Sequence, residues 1–215
     1  MYLSRVEINP RLRACMIALY SPQRLHAMIA ASFPNPIDNL VVRRHIWRID
    51  KLNHSLYILV VSPNKPDFTH LIEQIGWPAA EQKWETALYD PFLEQLNYGQ
   101  QWQFRLRANP TCSKKDIQDL NIRGKVIPCL KIEEQMKWFE TKMMKCGAAL
   151  NGFELTSREV SQFARNGNTI TLNTATFEGI LTITDSDLIR EAMIDGIGRA
   201  KAYGCGLLTL VQVPQ

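Results

Sequence analysis

Four histidines, His26, His45, His54 and His70, are the side chains best suited to moving protons near neutral pH in this chain, since an unperturbed imidazole titrates at about 6.5. In "SPQRLHAMI", His26 stands one residue past Leu25, at the flank of an apolar helical stripe and not within it. Gln23, three residues earlier, projects on the same side. On spacing, His26 is either a proton-transfer group or a helix-edge residue. The other three histidines fall in a strand, a turn and a helix, where ordinary surface or core roles suffice. Cys15, Cys112, Cys129, Cys146 and Cys205 are odd in number and far apart, with no C-x-x-C and no histidine at ligand spacing, so they read as reduced thiols.

A second concentration of chemistry lies near the C-terminus. "GIGRAKAYGCGLL" packs four of the eleven glycines into Gly196 to Leu208, with Arg199 and Lys201 between them. A dinucleotide fingerprint G-x-G-x-x-G needs glycine where Lys201 stands, and needs to follow a strand, whereas this stretch follows a helical pattern and opens a strand. No Gly-Lys-Ser/Thr occurs either, so a nucleotide cofactor is not expected. Two readings remain: a tight helix-to-strand connection, or a loop whose backbone N–H groups approach an extended polyanion.

The net charge of +4 is unevenly spread. Residues 96 to 131 hold seven Lys/Arg against two Asp/Glu, whereas the chain before them is nearly balanced and the chain after them is slightly acidic. The excess is Arg105, Arg107, Lys114, Lys115, Arg123, Lys125 and Lys131. Such a local cluster is either a polyanion site or a solvated basic loop. With 46% hydrophobic and 21% charged residues the chain is globular. It has no run near the roughly 18 apolar residues of a membrane helix and no signal-peptide pattern, so the cytoplasm is expected.

The elements that must position these groups repeat. "YLSRVEI" alternates as a strand; a helix follows, with Ser21 as its cap, Pro22 at its first position, and Leu25, Met28, Ile29 and Phe33 as its apolar stripe. "RRHIWRID" and "SLYILVVS" form a hairpin around Asn53; Phe68, Leu71, Ile72 and Ile75 mark a helix, and "QKWETALY" a last strand. After a connector at "DPFLEQLNYGQ" the order recurs: the strand "QWQFRLRA", a helix over Ile132, Met136, Phe139 and Met143 with a Glu133–Lys137 pair, a hairpin at Asn166-Gly167, a helix capped near Asp185, and the strand "LLTLVQV". Two β-α-β-β-α-β units predict an α+β fold of tandem ferredoxin-like domains, residues 1–94 and 95–215. RNA-recognition modules share this architecture.

Taken together, "MYLSRVEIN", "SPQRLHAMIAASFP", "FRLRANPT" and "GIGRAKAYGCGLLTL" closely resemble the CRISPR-associated endoribonucleases of the CasE type. These belong to the repeat-associated RNA-binding proteins, and the likeness runs in order along nearly the whole chain. It implies a metal-independent nuclease that binds the stem-loop of a CRISPR repeat and cuts precursor crRNA at the 3′ base of the hairpin. Attack by the 2′-OH would leave a 2′,3′-cyclic phosphate, and the product would stay with the other Cascade subunits. No metal and no cofactor is implied.

Within that resemblance His26 matches the catalytic histidine. Some members carry a tyrosine three residues before it and a lysine five residues after; here these are Gln23 and Ala31. Gln23 can hydrogen-bond a phosphate or a hydroxyl but cannot act as a proton donor or acceptor in the way tyrosine can, which makes Tyr20 and Arg24 further supporting candidates. The RNA contacts expected are Arg105, Arg107, Lys114, Lys115, Arg123 and Lys125, then Arg158 and Arg165 near the second hairpin, and Gly196, Gly198, Arg199 and Lys201 in the glycine stretch. No aromatic RNP1 pattern occurs, which favours a structured stem over stacked single strands. The alternatives are a non-catalytic RNA-binding subunit of the same fold and a metabolic ferredoxin-like enzyme whose basic loop takes a small anion.

Overall fold

Strand alternation is visible at once in burial: in β1 (Tyr2–Ile8) Ser4, Val6 and Ile8 face inward while their neighbours are partly exposed. The computed structural model of the protein describes residues 1–34, 44–81, 84–114, 125–165 and 167–213. After β1 come α1 (Arg13–Leu19), α2 (Pro22–Ala30), β2 (Ile46–Leu52), β3 (Ser55–Ser62), α3 (Thr69–Ile75) and β4 (Trp84–Leu88). A short α4 (Asp90–Glu94) leads to β5 (Gln101–Ala108), β6 (Thr111–Lys114) and β7 (Lys125–Pro128). Then follow α5 (Ile132–Lys145), β8 (Ala148–Arg165), β9 (Asn168–Ile183), α6 (Ser186–Asp195), a 3-10 turn (Lys201–Tyr203) and β10 (Leu208–Gln212).

The strands make two antiparallel sheets, β2-β3-β1-β4 and β10-β5-β9-β8. Each places its first strand between its third and its fourth, which is the ferredoxin-like order, so the tandem reading holds. Elements with weaker periodicity were not anticipated. The connector at "DPFLEQLNYGQ" contains α4; α1 precedes the expected first helix, burying Cys15 and Ala18 at i, i+3; and β6 and β7 pair as an extra hairpin. Asn53 turns the first hairpin with φ 54°. Asn166 and all of the residues between β6 and β7, 115–124, lie outside the described residues.

Local bonds also depart from expectation. Ser21 makes no side-chain cap; its carbonyl accepts from the N–H groups of Arg24 (2.9 Å) and Leu25 (3.1 Å), so the turn closes through the backbone. Glu133 and Lys137 form no ion pair among the described residues, and it is Glu134 that reaches back to the Lys131 N–H. Asp185 does cap α6, accepting from Asp187 and Leu188 at 3.0 Å each.

The two sheets are not independent bodies. Ile46 and Val61 of the first share one core with Phe104, Phe139, Phe177 and Leu208 of the second. Arg48 of β2 is 1% exposed and grips Asp50 through two bonds of 2.8 and 2.6 Å. It also donates to the carbonyls of Arg105 and Leu207 and to the Thr209 hydroxyl, each at 2.8 Å. A buried guanidinium with its donors placed this fully is a polar rivet between the halves.

Candidate active site

Burial along α2 explains where His26 points. Leu25 and Ile29 are sunk in the core, and His26, one residue round from Leu25, is half-buried at the rim. Its Nδ1 is buried with no hydrogen-bond partner among the described residues, whereas Nε2 is not buried and has no protein partner there. The imidazole pKa is lowered, first by burial and then by the positive charge of Arg165. Both causes favour the neutral ring, the form able to accept a proton at neutral pH.

Arg165 reaches this rim because β8 and β9 outrun their sheet. They pair from Ala148↔Ile183 to Arg165↔Asn168, with register shifts at Leu150/Gly152 and Leu155/Ser157 that bend the ribbon. At the far end Phe163 meets Tyr203 edge-on, with centroids 4.8 Å apart, in a satellite core with Leu172 and Cys205. The Tyr203 hydroxyl accepts from Arg165 Nη1 at 2.9 Å. The 3-10 turn carrying Tyr203 packs against both α2 and β2, so four elements meet beside His26.

The glycine stretch is answered chiefly by the protein itself. Gly204 has φ +76°, and a Cβ there would stand 2.8 Å from the Trp47 ring; at Gly196, φ +74°, it would stand 2.8 Å from Ile46 Cδ1. A Cβ on Gly198 would press on Trp138 at 3.1 Å. These glycines let a helix-to-strand connection lie flush on β2 and α5. Lys201 donates to the Asp195 carbonyl at 2.6 Å, closing the end of α6, and burial lowers its pKa. Arg199 is exposed, with no ion pair among the described residues.

The structure scatters the expected basic residues. Arg105 is ion-paired with Glu178 at 3.1 Å and Asp50 at 3.8 Å, and Arg107 with Glu159 at 2.9 Å. Arg158 donates to the Leu130 carbonyl. Lys114 and Lys125 stand opposite each other in the backbone register of β6 and β7, and Lys115 and Arg123 lie outside the described residues. Around His26, Tyr20 is 76% exposed, Arg24 is exposed and Gln23 is half-buried. The grouping is therefore His26, Arg165 and Tyr203.

Two further residues at the rim were missed. His45 has its pKa lowered by burial and by His26, and its ring stacks on Phe33; Arg44 lies close enough to Lys201 for their charges to repel. Their only signal in the sequence is position at the start of "RRHIWRID", which reads as strand. The reading of every cysteine as a free thiol is also corrected: Cys112 and Cys129 are joined, Cα atoms 6.2 Å apart, because β6 and β7 bring them within bridging range. Cys15, Cys146 and Cys205 are free. Among the described residues no three His, Cys, Asp or Glu are grouped to hold a metal ion, and no described helix is long and apolar enough to cross a membrane.

Comparison with known proteins matches this arrangement along its length. The family model described as CRISPR associated protein covers residues 1–212. The chain is 31% identical to the CRISPR system Cascade subunit CasE of Escherichia coli K12, with 98% of each chain covered. The crystal structure of the CRISPR-associated protein Cas6e from Escherichia coli superposes with a TM-score of 0.69 at 27% identity, over 99% of this chain and 100% of that one. Thermus thermophilus Cse3, bound to an RNA representing a pre-cleavage complex, superposes with a TM-score of 0.77 at 22% identity, over 98% of each chain, and so shares the fold. By sequence, by length and by fold, the chain belongs to the CRISPR-associated protein family, among proteins of the CasE type.

Proposed function

We propose that this protein is a metal-independent endoribonuclease that processes CRISPR RNA. It binds the stem-loop of the repeat, cuts precursor crRNA at the 3′ base of the hairpin, and retains the product within Cascade in the cytoplasm. Residues 1–94 carry the proton-transfer group and residues 95–215 most of the cations that face RNA. The observation that supports this best is the half-buried, neutral His26 with its outward nitrogen open and the Arg165 cation beside it. The names of its relatives point the same way: a Cascade subunit and an endoribonuclease.

The chemistry follows from those groups. Neutral His26 takes the proton from a ribose 2′-OH, whose oxygen attacks the adjacent phosphorus; the bond to the 5′-oxygen breaks and a 2′,3′-cyclic phosphate remains. Arg165, held on Tyr203, sits where it can balance charge building on the phosphorane oxygens. Arg24, Arg158 and Arg199 are exposed cations for the stem, joined by Lys114, Lys115, Arg123 and Lys125. Arg105 and Arg107 contribute only if RNA displaces their carboxylate partners.

Gln23 and Ala31, neither of which can serve as a general acid or base near neutral pH, favour a second reading: an RNA-binding subunit without activity. Cognate repeat RNA incubated with the protein in EDTA separates the two. Cleavage is expected with wild type, with a loss of about 10²–10⁴-fold in His26→Ala and no product from RNA carrying a 2′-deoxy sugar before the cut. RNA bound but uncut by wild type would favour the second reading; cleavage surviving both changes would remove His26 and the 2′-OH from the mechanism.

A further inference from the structure

Helix α5 carries a face that neither its core nor the chemistry at His26 uses. Glu134, Lys137, Trp138, Thr141, Lys142 and Lys145 recur at i, i+3, i+4, i+7, i+8 and i+11, and so form one stripe along the helix. The stripe borders the buried face of Gln135, Phe139 and Met143, which leaves Trp138 and Lys142 half-buried and the rest exposed. Across from it stand Thr111 and Cys112 of β6, and between these two walls lies a cavity of about 290 Å³, lined by the stripe from Glu134 to Lys142. Cys112 is tied to Cys129, which fixes that wall to the base of its hairpin.

Trp138 joins this cavity to the cleavage rim. The edge of its six-membered ring meets Gly198, where a Cβ would stand 3.1 Å from it. Gly198 belongs to the loop whose Tyr203 holds Arg165, and the turn carrying Tyr203 packs on α2. From Gly198 to Tyr203 the chain advances five residues, a reach of at most about 18 Å, which a few unpaired nucleotides can cross.

Charge and ring together indicate the occupant. The Lys142 ammonium lies 5.9 Å from the centre of the Trp138 ring, at the outer limit of a cation–π contact. Lys137, Lys142 and Lys145 form no ion pair among the described residues. Glu134, the one carboxylate of the stripe, accepts from the Lys131 N–H at 3.5 Å. Lys201, from the glycine loop, lies close enough to Lys142 for their charges to repel. Unpaired cations around an aromatic ring in an apolar groove suit single-stranded nucleic acid, whose bases stack while its phosphates meet the lysines.

We propose that this groove is a second RNA subsite, in which an unpaired nucleotide flanking the base of the repeat stem stacks on Trp138 and sets its phosphate against Lys142 and Lys137. This rests on the RNA-processing reading above and extends it from the stem to the single strand beside it. Strand on the 5′ or the 3′ side of the stem offers the same chemistry, so the test separates the two.

Binding by the full chain is measured to four repeat RNAs, each with a 2′-deoxy sugar before the cut: the bare stem-loop, and the stem-loop with its 5′ flank, its 3′ flank, or both. Wild type is expected to bind flanked RNA more tightly than the bare stem-loop. Trp138→Leu keeps an apolar side chain against Gly198 but offers no ring; it should lose about 5–150-fold in affinity for flanked RNA and bind the bare stem-loop as wild type does. Trp138→Phe should recover most of that loss. Lys142→Gln removes one cation and no ring, and should weaken flanked RNA alone and flatten its salt dependence. The flank required for these losses is the one that reaches the groove. If wild type binds flanked and bare RNA equally, or if Trp138→Leu and Lys142→Gln weaken both alike, the subsite is overturned and Trp138 only packs the glycine loop. If natural RNA stays uncut while the flank still adds affinity through Trp138, the endoribonuclease reading fails and the subsite stands.

Discussion

The hairpin β2–β3 and the hairpin β8–β9 occupy the same place in two sheets of the same strand order, yet they do different work. The first has strands of 7 and 8 residues and closes at Asn53, so most of it is spent on the core. The second has strands of 18 and 16 residues, and its surplus leaves its own sheet. That overhang carries Phe163 and Arg165 to Tyr203 and to the edge of α2. Topology alone is thus silent about function. The extra length in one hairpin, bent by two register shifts, is what turns a repeated fold into an asymmetric molecule with one site.

The largest effect is expected at the rivet that joins the halves. Asp50→Ala leaves the buried Arg48 guanidinium without its carboxylate, and losing one partner of a buried pair costs about 3–5 kcal/mol. Denaturant melts should show that loss, with both sheets destabilised together because they share a core. A transition that splits, with one sheet unaffected, would mean that the halves are held by something other than Arg48.

A smaller effect is expected where the glycine loop meets the short hairpin. Gly204→Ala adds a Cβ against Trp47 at a residue with φ +76°, and should lower stability by about 1–3 kcal/mol. RNA cleavage should fall as well, since Tyr203 is the neighbouring residue. Thermal melting and a cleavage time course read the two; unchanged stability would mean that the loop has room the structure does not show.

The smallest and most specific effect belongs to the overhang. Arg165→Met removes a cation that holds the His26 pKa down, so that pKa should rise, though burial keeps it below the ordinary value. NMR titration of the imidazole gives the direction. The sign for stability follows by linkage: a histidine whose folded pKa is depressed loses stability as pH falls from about 6.5 toward its folded pKa, because the unfolded chain binds the proton first. Wild type should therefore melt at lower temperature at pH 5 than at pH 7, and Arg165→Met should show a shallower decline over that window. An identical decline would place Arg165 too far from His26 to matter.

Much of this was legible in the residues. Period-two alternation found β1, whose inward and outward residues alternate; helical spacing found α2, α3, α5 and α6, because each has one buried face. The segments it missed have little periodicity to read: α4 is one turn long, and β6 and β7 are four residues each and owe their strand character to pairing with one another. The free-thiol reading of Cys112 and Cys129 failed because a separation of 17 residues says nothing about distance until a hairpin folds it back.

The same division holds at the site. By itself the sequence determined the doubled fold, the place of His26 at the flank of an apolar stripe, and the likeness to CasE-type proteins. Each depends on local period or on order along the chain, and both are written in one dimension. Only the tertiary structure decided that Arg165, not a nearer cation, bears on His26, that His45 joins the rim, that Arg105 and Arg107 are already paired with carboxylates, and that the glycines make room for Ile46, Trp47 and Trp138. Those facts are distances between residues far apart in the chain, and charge and burial act through space.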